Sequence, residues 1–431
     1  MHHHDQWTHF VIQSTEYFDL DRACFRLADI EIEGDVIVGI HPPGSASARH
    51  VVDGRKLLCT PGLVNAHLHP SKELYRGLYP PGSASEMLDV VHRNNRSESE
   101  ADQASASMFA LSQSILQGVT SVGIFTSRAK VDARQAQKSG LRAAVFFSQN
   151  DLWAGGGEIP ETHKLDGILK QFDDVFDVFD DARISINPAT ASEFSSSDEL
   201  LKVLHHIAMK TGRRFSLHIQ EGAERVGAFI KTHGESGIAR LSRVGVLDRF
   251  TTVVHASALT ESDVRLLQAH PVGIVHCPIS NAFTSAGKMP LRALVREHDV
   301  GIGTDSAMIN PINRIAFEAA FAMHHHDASE DAARDIIEML TIKGARSINI
   351  QNSGKIEPGM QADFCLFEGS PYKSPDHSIH FLELFLFGRP KSVFVAGKKV
   401  VNDYRLATGT EYDISRSYNE SRDRIVSSVT A

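Results

Sequence analysis

Short apolar runs alternate with longer amphipathic stretches through the middle of the chain. Eight of the runs end in polar residues, and they lie at 62–69, 119–125, 141–150, 182–190, 214–221, 250–257, 272–278 and 300–306. Nearly continuous apolar runs of this length predict strands buried on both faces, as in a parallel sheet covered by helices. Apolar residues recur at helical spacing in the stretches between them, which include 104–118, 198–212, 236–246, 260–270 and 289–298.

Eight strand–helix units in succession favour an α/β fold in which the strands close into a (β/α)8, or TIM, barrel. An open doubly wound sheet is the main alternative, because it is built from the same repeating unit. A chain of 431 residues is long for one compact core but suits a large barrel with a smaller companion domain.

The two ends of the chain have a different pattern, in which short alternating strands are separated by turn residues. We expect residues 1–60 and 355–431 to pair into one small β-sandwich and residues 61–354 to form the barrel. Within the C-terminal part, the pattern at 371–390 predicts a helix or a loop. The stretch from Asp413 onward predicts a surface helix or a tail.

The composition is typical of a globular protein, with 42% hydrophobic and 23% charged residues. A formal net charge of −9 repels phosphates, so we expect neither nucleic acid nor an anionic membrane as a partner. The first residues, including His2–His4, lack the apolar segment of a signal peptide, and no apolar run reaches about 18 residues. A reducing cytoplasm is indicated by four cysteines that lie far apart with no CxxC pair, Cys24, Cys59, Cys277 and Cys365.

Side chains that can bind a metal stand at the ends of five predicted strands. His67 and His69 end the first strand, where alternate positions point to the same side, so both rings can reach one ion. The pair alone is a weak signal, because two further His-x-His pairs occur elsewhere in the chain. In a barrel the carboxyl ends of all strands meet at one face. We therefore expect this pair to converge with His218 and Glu221, His255, His276 and Asp305.

Imidazole nitrogens and a carboxylate oxygen are the ligands of catalytic zinc or iron(II), with one position left open for water. We expect one divalent ion to be bound by His67, His69, His218 and Asp305. Such an ion lowers the pKa of its water toward neutrality and makes hydroxide available. Glu221 is placed to move protons as general base and then acid, and Asp305 can share the first task. His255 is placed to hydrogen-bond the hydroxide or the developing negative charge.

Several motifs occur in an order that resembles a known family. They are PGLVNAHLH (61–69), LHIQE (217–221), VVHAS (253–257), VHCPISNAF (275–283), GIGTDS (301–306) and GKIEPGMQADFCLFE (354–368). Together they resemble the amidohydrolase superfamily, in the branch that contains cytosine, guanine and S-adenosylhomocysteine deaminases and the triazine hydrolases. The resemblance covers nearly the whole chain. It implies a metal-dependent hydrolase barrel with an accessory sandwich formed by the two termini, and it also implies that the chain can form homo-oligomers.

Three departures from the family pattern bear on the metal and the substrate. The fourth strand, ISINPAT at 184–190, has no Lys, so the carbamylated lysine that bridges two metals in other branches is missing and a mononuclear site is implied. The second strand runs into Thr126, where many relatives carry an acidic residue. The segment PSKELYRG has Pro70 and Lys72 in place of smaller or amide residues. These departures leave the identity of the substrate open.

The leading functional prediction is a deaminase of a nitrogen heterocycle. Activated water adds to an amidine-like ring carbon, Glu221 protonates the departing nitrogen, and ammonia leaves. A close alternative uses the same site to open a cyclic amide or imidazolone ring, or to displace chloride or an alkylamine from a triazine. A distant alternative is a barrel that has lost catalysis and serves as a scaffold.

Four further residues are candidate substrate contacts, Arg76, Trp153, His276 and Asn281. His276 can equally pack beneath the metal site, and Asn281 can instead fix the loop after the seventh strand. The loop at 150–160 has a glycine run but lacks the Lys-Ser/Thr of a phosphate-binding loop, so we expect a rim or lid with Trp153 as a pocket wall. Structural alternatives for Glu221 and His255 are an ion pair with Arg225 and a core position, respectively.

Overall fold

Two β-sheets organise the computed structural model of the chain. The structure describes residues 7–80, 82–95, 97–153, 162–176, 179, 181–325, 331–369 and 371–430. Its strands in chain order are β1 (His9–Asp19), β2 (Cys24–Glu33), β3 (Val36–His41), β4 (His50–Asp53), β5 (Leu58–Pro61), β6 (Leu63–Leu68), β7 (Val119–Thr126), β8 (Arg142–Ser148), β9 (Ile184–Ser192), β10 (Phe215–Ile219), β11 (Thr251–His255), β12 (Gly273–His276), β13 (Val300–Ile302), β14 (Phe364–Phe367), β15 (Ser392–Val395), β16 (Lys398–Asn402) and β17 (Arg405–Leu406).

Helices separate the strands of the middle region, and a 3₁₀ helix at Pro70–Tyr75 follows β6 directly. The α-helices are α1 (Ala84–Asn95), α2 (Glu100–Leu116), α3 (Ala129–Ser139), α4 (Leu165–Phe176), α5 (Asp198–Thr211), α6 (Ala223–His233), α7 (Gly237–Val244), α8 (Glu261–Gln268), α9 (Pro278–Phe283), α10 (Leu291–Leu294), α11 (Ile315–His325), α12 (Ala332–Leu340), α13 (Ile342–Ser347), α14 (His377–Phe387) and α15 (Glu411–Thr430). Helix α5 shows why such segments begin and end where they do: the side chain of Ser197 caps its first turn, and Gly212 ends it with a φ of 66°. Within the described ranges, no helix combines the length and apolarity needed to cross a bilayer.

Strands β6 to β13 form an eight-stranded parallel sheet in sequential order. The sheet closes where Leu68 and Asp305 form a parallel bridge and the Asp305 amide donates to the carbonyl of His67 at 3.0 Å. This arrangement confirms the predicted (β/α)8 barrel. The eighth strand ends at Ile302 rather than at 306, and Asp305 beyond it has a φ of 60°, outside the β region.

The other sheet has nine strands and takes β1–β5 from one end of the chain and β14–β17 from the other. Strand β5 joins the two ends, since it pairs in parallel with β1 and antiparallel with β14. The sheet curls back on itself: Val36, at the start of β3, bridges Gln361, and the Ala362 amide donates to the carbonyl of Asp35 at 2.7 Å.

The curled terminal sheet encloses a hydrophobic cluster of its own. Phe10 of β1 stacks on Phe394 of β15 with ring centroids 5.5 Å apart, and both rings are buried. Phe364 of β14 stacks on the same Phe394 ring at 4.5 Å. The predicted pairing of the two chain ends into one accessory sheet structure is therefore confirmed, whereas the boundaries at residues 60 and 354 stay predictions.

The C-terminal helix α15 packs against the barrel beside the first sequence motif. The hydroxyl of Tyr418 donates to the carbonyl of Glu73 in the 3₁₀ helix at 3.0 Å. Its ring stacks on Phe109 of α2 with centroids 4.1 Å apart. Tyr418 and Ile425 are buried in a cluster with Leu74. The stretch predicted as a surface helix or tail is thus a docked helix that supports the segment following His69.

A buried ion pair links the barrel to the terminal sheet. Asp363, just before β14, accepts from Arg142 of β8 at 2.9 and 3.2 Å. The same carboxylate accepts from the Ser353 hydroxyl at 2.8 Å and from the Ala396 amide at 2.7 Å. Both charged side chains are almost completely buried, and the carboxylate is fully bonded. The pair therefore joins the barrel to the terminal sheet, which the backbone connects only at their ends.

Replacing Asp363 with Ala is expected to lower the free energy of unfolding by about 3–5 kcal/mol, because it leaves the buried Arg142 guanidinium without its counter-charge. Urea denaturation followed by circular dichroism measures the loss. The matched control is Asp53→Ala, which removes an exposed ion pair with Arg55 and is expected to leave the midpoint unchanged. Equal midpoints for Asp363→Ala and the unmodified chain would contradict this prediction.

Candidate active site

Four side chains meet at the carboxyl end of the barrel. The Nε2 atoms of His67, His69 and His218 lie 3.1 to 3.3 Å from one another. Asp305 Oδ1 lies 3.3 Å from His69 Nε2 and 3.6 Å from His67 Nε2. Bonds of about 2.0–2.2 Å to one zinc ion keep neighbouring ligand atoms roughly 3–4 Å apart. The structure therefore brings the four predicted ligands together in two overlapping groups that could hold a metal ion, His67 with His69 and His218, and His67 with His255 and Asp305.

Backbone carbonyls orient two of the imidazole rings. His69 Nδ1 lies 3.0 Å from the carbonyl oxygen of Phe125, at the end of β7. His218 Nδ1 lies 2.6 Å from the carbonyl oxygen of Ala191, at the end of β9. A carbonyl only accepts, so each Nδ1 carries the proton and each Nε2 directs its lone pair toward the centre of the group.

The electrostatic environment favours the ligand forms of these groups. Burial lowers the pKa of His67 to about 4. Burial, followed by the neighbouring His67 and His69, lowers the pKa of His218 well below its usual value. Burial alone raises the pKa of Asp305, but the adjacent His67 and His69 rings outweigh it and hold that pKa well below its usual range. His67 and His218 are thus neutral and Asp305 is ionised near pH 7, the forms that bind a cation.

Strained backbone and a hydroxyl donor fix the position of two site residues. His255 and Asp305 have φ values of 71° and 60°, in the left-handed region that non-glycine residues rarely adopt. The Ser280 hydroxyl donates to Asp305 Oδ2 at 2.5 Å. Such strain persists only where surrounding contacts over-determine the conformation. Both side chains are consequently held in place by the barrel rather than by a mobile loop.

Glu221 and His255 lie beside the four-residue group. Glu221 Oε1 is 3.9 Å from His255 Nε2, and Arg225 donates to Glu221 Oε2 at 3.2 Å. His255 Nδ1 lies 2.9 Å from Asn281 Oδ1, which places its Nε2 toward Glu221. The ion pair with Arg225 is therefore present, and it leaves Glu221 facing the cavity above the barrel.

A cavity of about 780 Å³ opens above these residues. Its volume lies in the upper part of the range of about 300–1,000 Å³ that is typical of ligand pockets. Its wall includes the site residues His69, His218, Glu221, His255 and Asp305. The same wall includes apolar and polar side chains such as Met87, Val91, Phe147, Gln149 and Trp153. Such a cavity admits a ligand larger than a single heterocyclic ring.

The four candidate substrate contacts lie in different places. Trp153 lines the cavity and packs edge-on against His92, with ring centroids 5.1 Å apart. Arg76 donates to Glu73 and to the carbonyl of Pro311, away from the cavity lining. His276 is buried at the end of β12, and Asn281 is bonded to His255, so neither lines the cavity.

His2–His4 lie outside the described residues, and so do residues 154–160, the glycine-rich part of the predicted rim loop after Trp153.

The cavity wall also contains an ionic group whose residues are not among the predicted site residues. Lys72 Nζ donates to Glu98 Oε1 at 2.6 Å, and the Glu98 side chain is 2% exposed. Arg128 donates to the Glu98 carbonyl at 2.9 Å, and all three residues line the cavity. Lys72 is visible in the sequence as a departure from the family pattern. Glu98 and Arg128 belong to no recognisable sequence motif. Their contact joins segments that only the tertiary fold brings together.

Curated relatives match the chain over most of its length. The 5-methylthioadenosine/S-adenosylhomocysteine deaminase of Haloarcula marismortui is 28% identical over 372 residues, covering 82% of this chain and 83% of that protein. The enzyme of the same name from Thermococcus onnurineus is 26% identical, with 82% and 84% covered. The 5'-deoxyadenosine deaminase of Methanosarcina mazei is 24% identical, with 96% and 97% covered.

Solved structures share the fold over nearly the whole chain. An adenosine deaminase from Xanthomonas campestris with bound zinc superimposes with a TM-score of 0.87 at 24% identity, covering 97% of this chain and 98% of that one. An atrazine chlorohydrolase from Arthrobacter aurescens complexed with zinc superimposes with a TM-score of 0.86 at 19% identity, covering 96% and 100%.

A family model described as the amidohydrolase family matches residues 58–400. The match begins in β5 and ends in β16, so it includes every strand of the barrel. It confirms the resemblance carried by the motifs from PGLVNAHLH to GKIEPGMQADFCLFE, and with it the prediction of a hydrolase that acts on C–N bonds. The chain belongs to the amidohydrolase family.

Proposed function

We propose that the protein is a zinc-dependent deaminase that removes the exocyclic amino group of an adenine nucleoside, with a 5'-substituted nucleoside as its preferred substrate. The observation that carries the proposal is the convergence of three His and one Asp at ligand spacing, with Glu221 beside them, at the inner wall of a nucleoside-sized cavity. Adenine nucleosides are favoured over other heterocycles because the curated relatives named above deaminate 5-methylthioadenosine, S-adenosylhomocysteine or 5'-deoxyadenosine.

His67, His69, His218 and Asp305 would hold the ion. A divalent cation bound there acts as a Lewis acid that lowers the pKa of water and provides a nucleophile near neutral pH. Zinc is the metal named with the adenosine deaminase of the same fold, and the His/His/His/Asp donor set suits it. The carbonyls of Phe125 and Ala191 keep the ring protons on Nδ1, so Nε2 remains the donor atom on His69 and His218.

Glu221 carries out the proton transfers in this proposal. Its carboxylate takes a proton from the attacking water as the C–O bond forms at the amino-bearing ring carbon. It then delivers that proton to the amino nitrogen, the C–N bond breaks, and ammonia leaves. The remaining proton of the added hydroxyl moves to the neighbouring ring nitrogen, which leaves a ring carbonyl in place of the amino group. Arg225 holds Glu221 Oε2, which keeps Oε1 directed toward His255 and the reacting atoms.

His255 stabilises negative charge on the oxygen that adds to the ring. Its Nδ1 is bonded to Asn281 Oδ1, so its Nε2 lies toward the cavity, where a proton on that nitrogen would be donated to the oxygen. Asn281 therefore acts through His255 as a positioning residue. This arrangement supports an electrostatic role for His255 beside the ion.

The proposal extends to compartment and assembly. A cytoplasmic location is supported by four cysteines that are all free thiols, three of them buried. A homo-oligomer is a further prediction, which size-exclusion chromatography with light scattering can decide.

A panel of purine nucleosides, free purines and pyrimidines, triazines and cyclic ureides tests the activity of the zinc-loaded protein. We expect ammonia release and a product heavier by about one mass unit with adenosine, 5'-deoxyadenosine or 5'-methylthioadenosine. A gain of about eighteen mass units without ammonia on a ring amide would mean ring opening and would contradict the deaminase. Loss of chloride from a triazine with no turnover of nucleosides would favour the triazine alternative.

A further inference from the structure

We propose that Gln220 is a positioning residue that holds Glu221 beside His255, and this inference rests on the proposed deaminase, in which those two groups act on the same reacting atoms. Gln220 lies between strand β10 and Glu221 and is completely buried. It takes no part in the chemistry described above. The proposal depends on its backbone conformation and on the hydrogen bonds of its main chain and side chain.

A left-handed backbone at Gln220 allows His218 and Glu221 to face the same cavity. Along a regular strand, side chains an odd number of positions apart point to opposite faces. His218 and Glu221 are three positions apart, yet both line the cavity. Gln220 has a φ of 48°, in the region that residues other than glycine rarely adopt. The turn at Gln220 therefore brings the Glu221 side chain round to the side of His218.

The side chain of Gln220 is hydrogen-bonded through both its nitrogen and its oxygen. Nε2 donates to Asp263 Oδ2 in α8 at 3.0 Å and to the carbonyl of Ala258 at 3.1 Å. Oε1 accepts from the amide of Ile238 in α7 at 3.2 Å. The orientation of the side-chain amide is fixed, because a carbonyl only accepts and a backbone amide only donates. All three partners lie outside the cavity lining, so Gln220 acts on the reaction only through its neighbours.

The main chain of Gln220 is held on both sides by neighbouring strand ends. Its amide donates to Oε1 of Glu193, the residue after β9, at 3.0 Å. Its carbonyl accepts from the amides of Ser257 and Ala258, which follow β11, at 3.3 and 3.1 Å. A strained conformation persists only where surrounding contacts over-determine it, and these contacts do so at Gln220.

The same contacts join the turn that carries Glu221 to the turn that begins at His255. His255 and Ala256 are also left-handed, with φ values of 71° and 45°. The Ala256 amide donates to the carbonyl of Ile219 at 3.0 Å, next to the bonds that the Gln220 carbonyl accepts. Glu221 Oε1 and His255 Nε2 lie 3.9 Å apart across this junction. Gln220 therefore sets the separation of the two groups through its main chain and its side chain together.

Gln220→Met tests this role, because it keeps the length of the side chain and removes its hydrogen bonds. We expect kcat for adenosine to fall about 10²-fold, the effect of misplacing a reacting group by about 1 Å, while KM changes by less than about threefold. Zinc should be retained, since the Ala191 carbonyl still orients His218. Gln220→Asn is a second variant, which tolerates the left-handed backbone but is one methylene shorter, and it should show the same loss.

Thr252→Val is the matched control, because it removes a buried hydrogen bond from β11, the strand that ends in His255. The Thr252 hydroxyl donates to the carbonyl of Ser347 at 2.6 Å, and Thr252 lies outside the cavity lining. This control should keep kcat within about threefold of the unmodified enzyme. An equal loss in Thr252→Val, or loss of zinc from Gln220→Met, would overturn the positioning role in favour of a general structural one.

A double-mutant cycle separates the placement of Glu221 from a general loss of structure. If Gln220 acts through Glu221, adding Gln220→Met to Glu221→Gln should lower kcat by less than about tenfold, because the proton-transfer group is already missing. A general loss of structure would lower kcat equally with and without Glu221. A further loss of about tenfold or more in the Glu221→Gln background would therefore overturn the inference.

A crystal structure of Gln220→Met gives a readout that needs no substrate. The separation of Glu221 Oε1 and His255 Nε2, 3.9 Å in the unmodified chain, should change by about 1 Å or more. An unchanged separation, or turnover of adenosine by Gln220→Met within about threefold of the unmodified enzyme, overturns the positioning role alone. If the unmodified enzyme releases no ammonia from any nucleoside, the proposed function fails, and the crystallographic separation still decides whether Gln220 places Glu221.

Discussion

Glu221→Gln is expected to lower kcat by about 10³–10⁴-fold while leaving one metal ion bound per chain. General acid–base groups contribute roughly 10²–10⁴-fold, and we expect the upper end because the same carboxylate serves twice, first as base and then as acid. The amide has nearly the same shape and can still accept from Arg225, which donates to Glu221 Oε2 in the structure. The loss therefore reports proton transfer rather than a change in packing.

Ammonia release measured together with zinc content by mass spectrometry distinguishes the possible explanations. Glu224→Gln is the matched control, since Glu224 is exposed on the same segment and lies outside the cavity lining. It should retain the full rate and the full metal content. A rate within tenfold of the unmodified enzyme in Glu221→Gln, with metal retained, would remove Glu221 from the mechanism. Loss of the metal in that variant would instead assign Glu221 to the ligand set.

The barrel could be predicted from the sequence because its signal is local. Each strand is a run of apolar residues that ends in a polar side chain, and closure follows from counting eight such runs. The convergence of His67, His69, His218 and Asp305 follows from the same rule, because the carboxyl ends of parallel strands meet at one face. The terminal sheet was predictable for a similar reason, since alternating strands at both ends of a chain must find partners.

The cavity wall could not be predicted in the same way, because its contacts join distant segments. Lys72 and Glu98 are 26 positions apart, and Gln149 and Gln171 are 22 apart, with no spacing that marks either pair. The position of helix α15 depends likewise on Tyr418 reaching the 3₁₀ helix across the fold. Tertiary packing decides such pairs, so the contacts within the cavity wall are visible only in the structure.

His218→Ala is expected to lose the bound metal and to reduce activity by more than about 10³-fold, because it removes one of the four ligands and the Lewis acid with it. His218 Nε2 lies 3.2 and 3.3 Å from the other two histidine nitrogens, the spacing of ligands that share one ion. Chelation of the unmodified enzyme should have the same effect on activity, and added zinc should restore it.

Thermal unfolding provides a readout of this site that does not depend on turnover. An ion that binds only the folded state stabilises it by about 4 kcal/mol at a thousand times its dissociation constant. A chelator should therefore lower the unfolding midpoint of the unmodified chain and of the control His233→Ala, whose side chain is exposed at the end of α6. His218→Ala should show no such shift. If His218→Ala keeps one zinc ion per chain and its response to the chelator, His218 is not a ligand, and the ion must be held by a different set of residues.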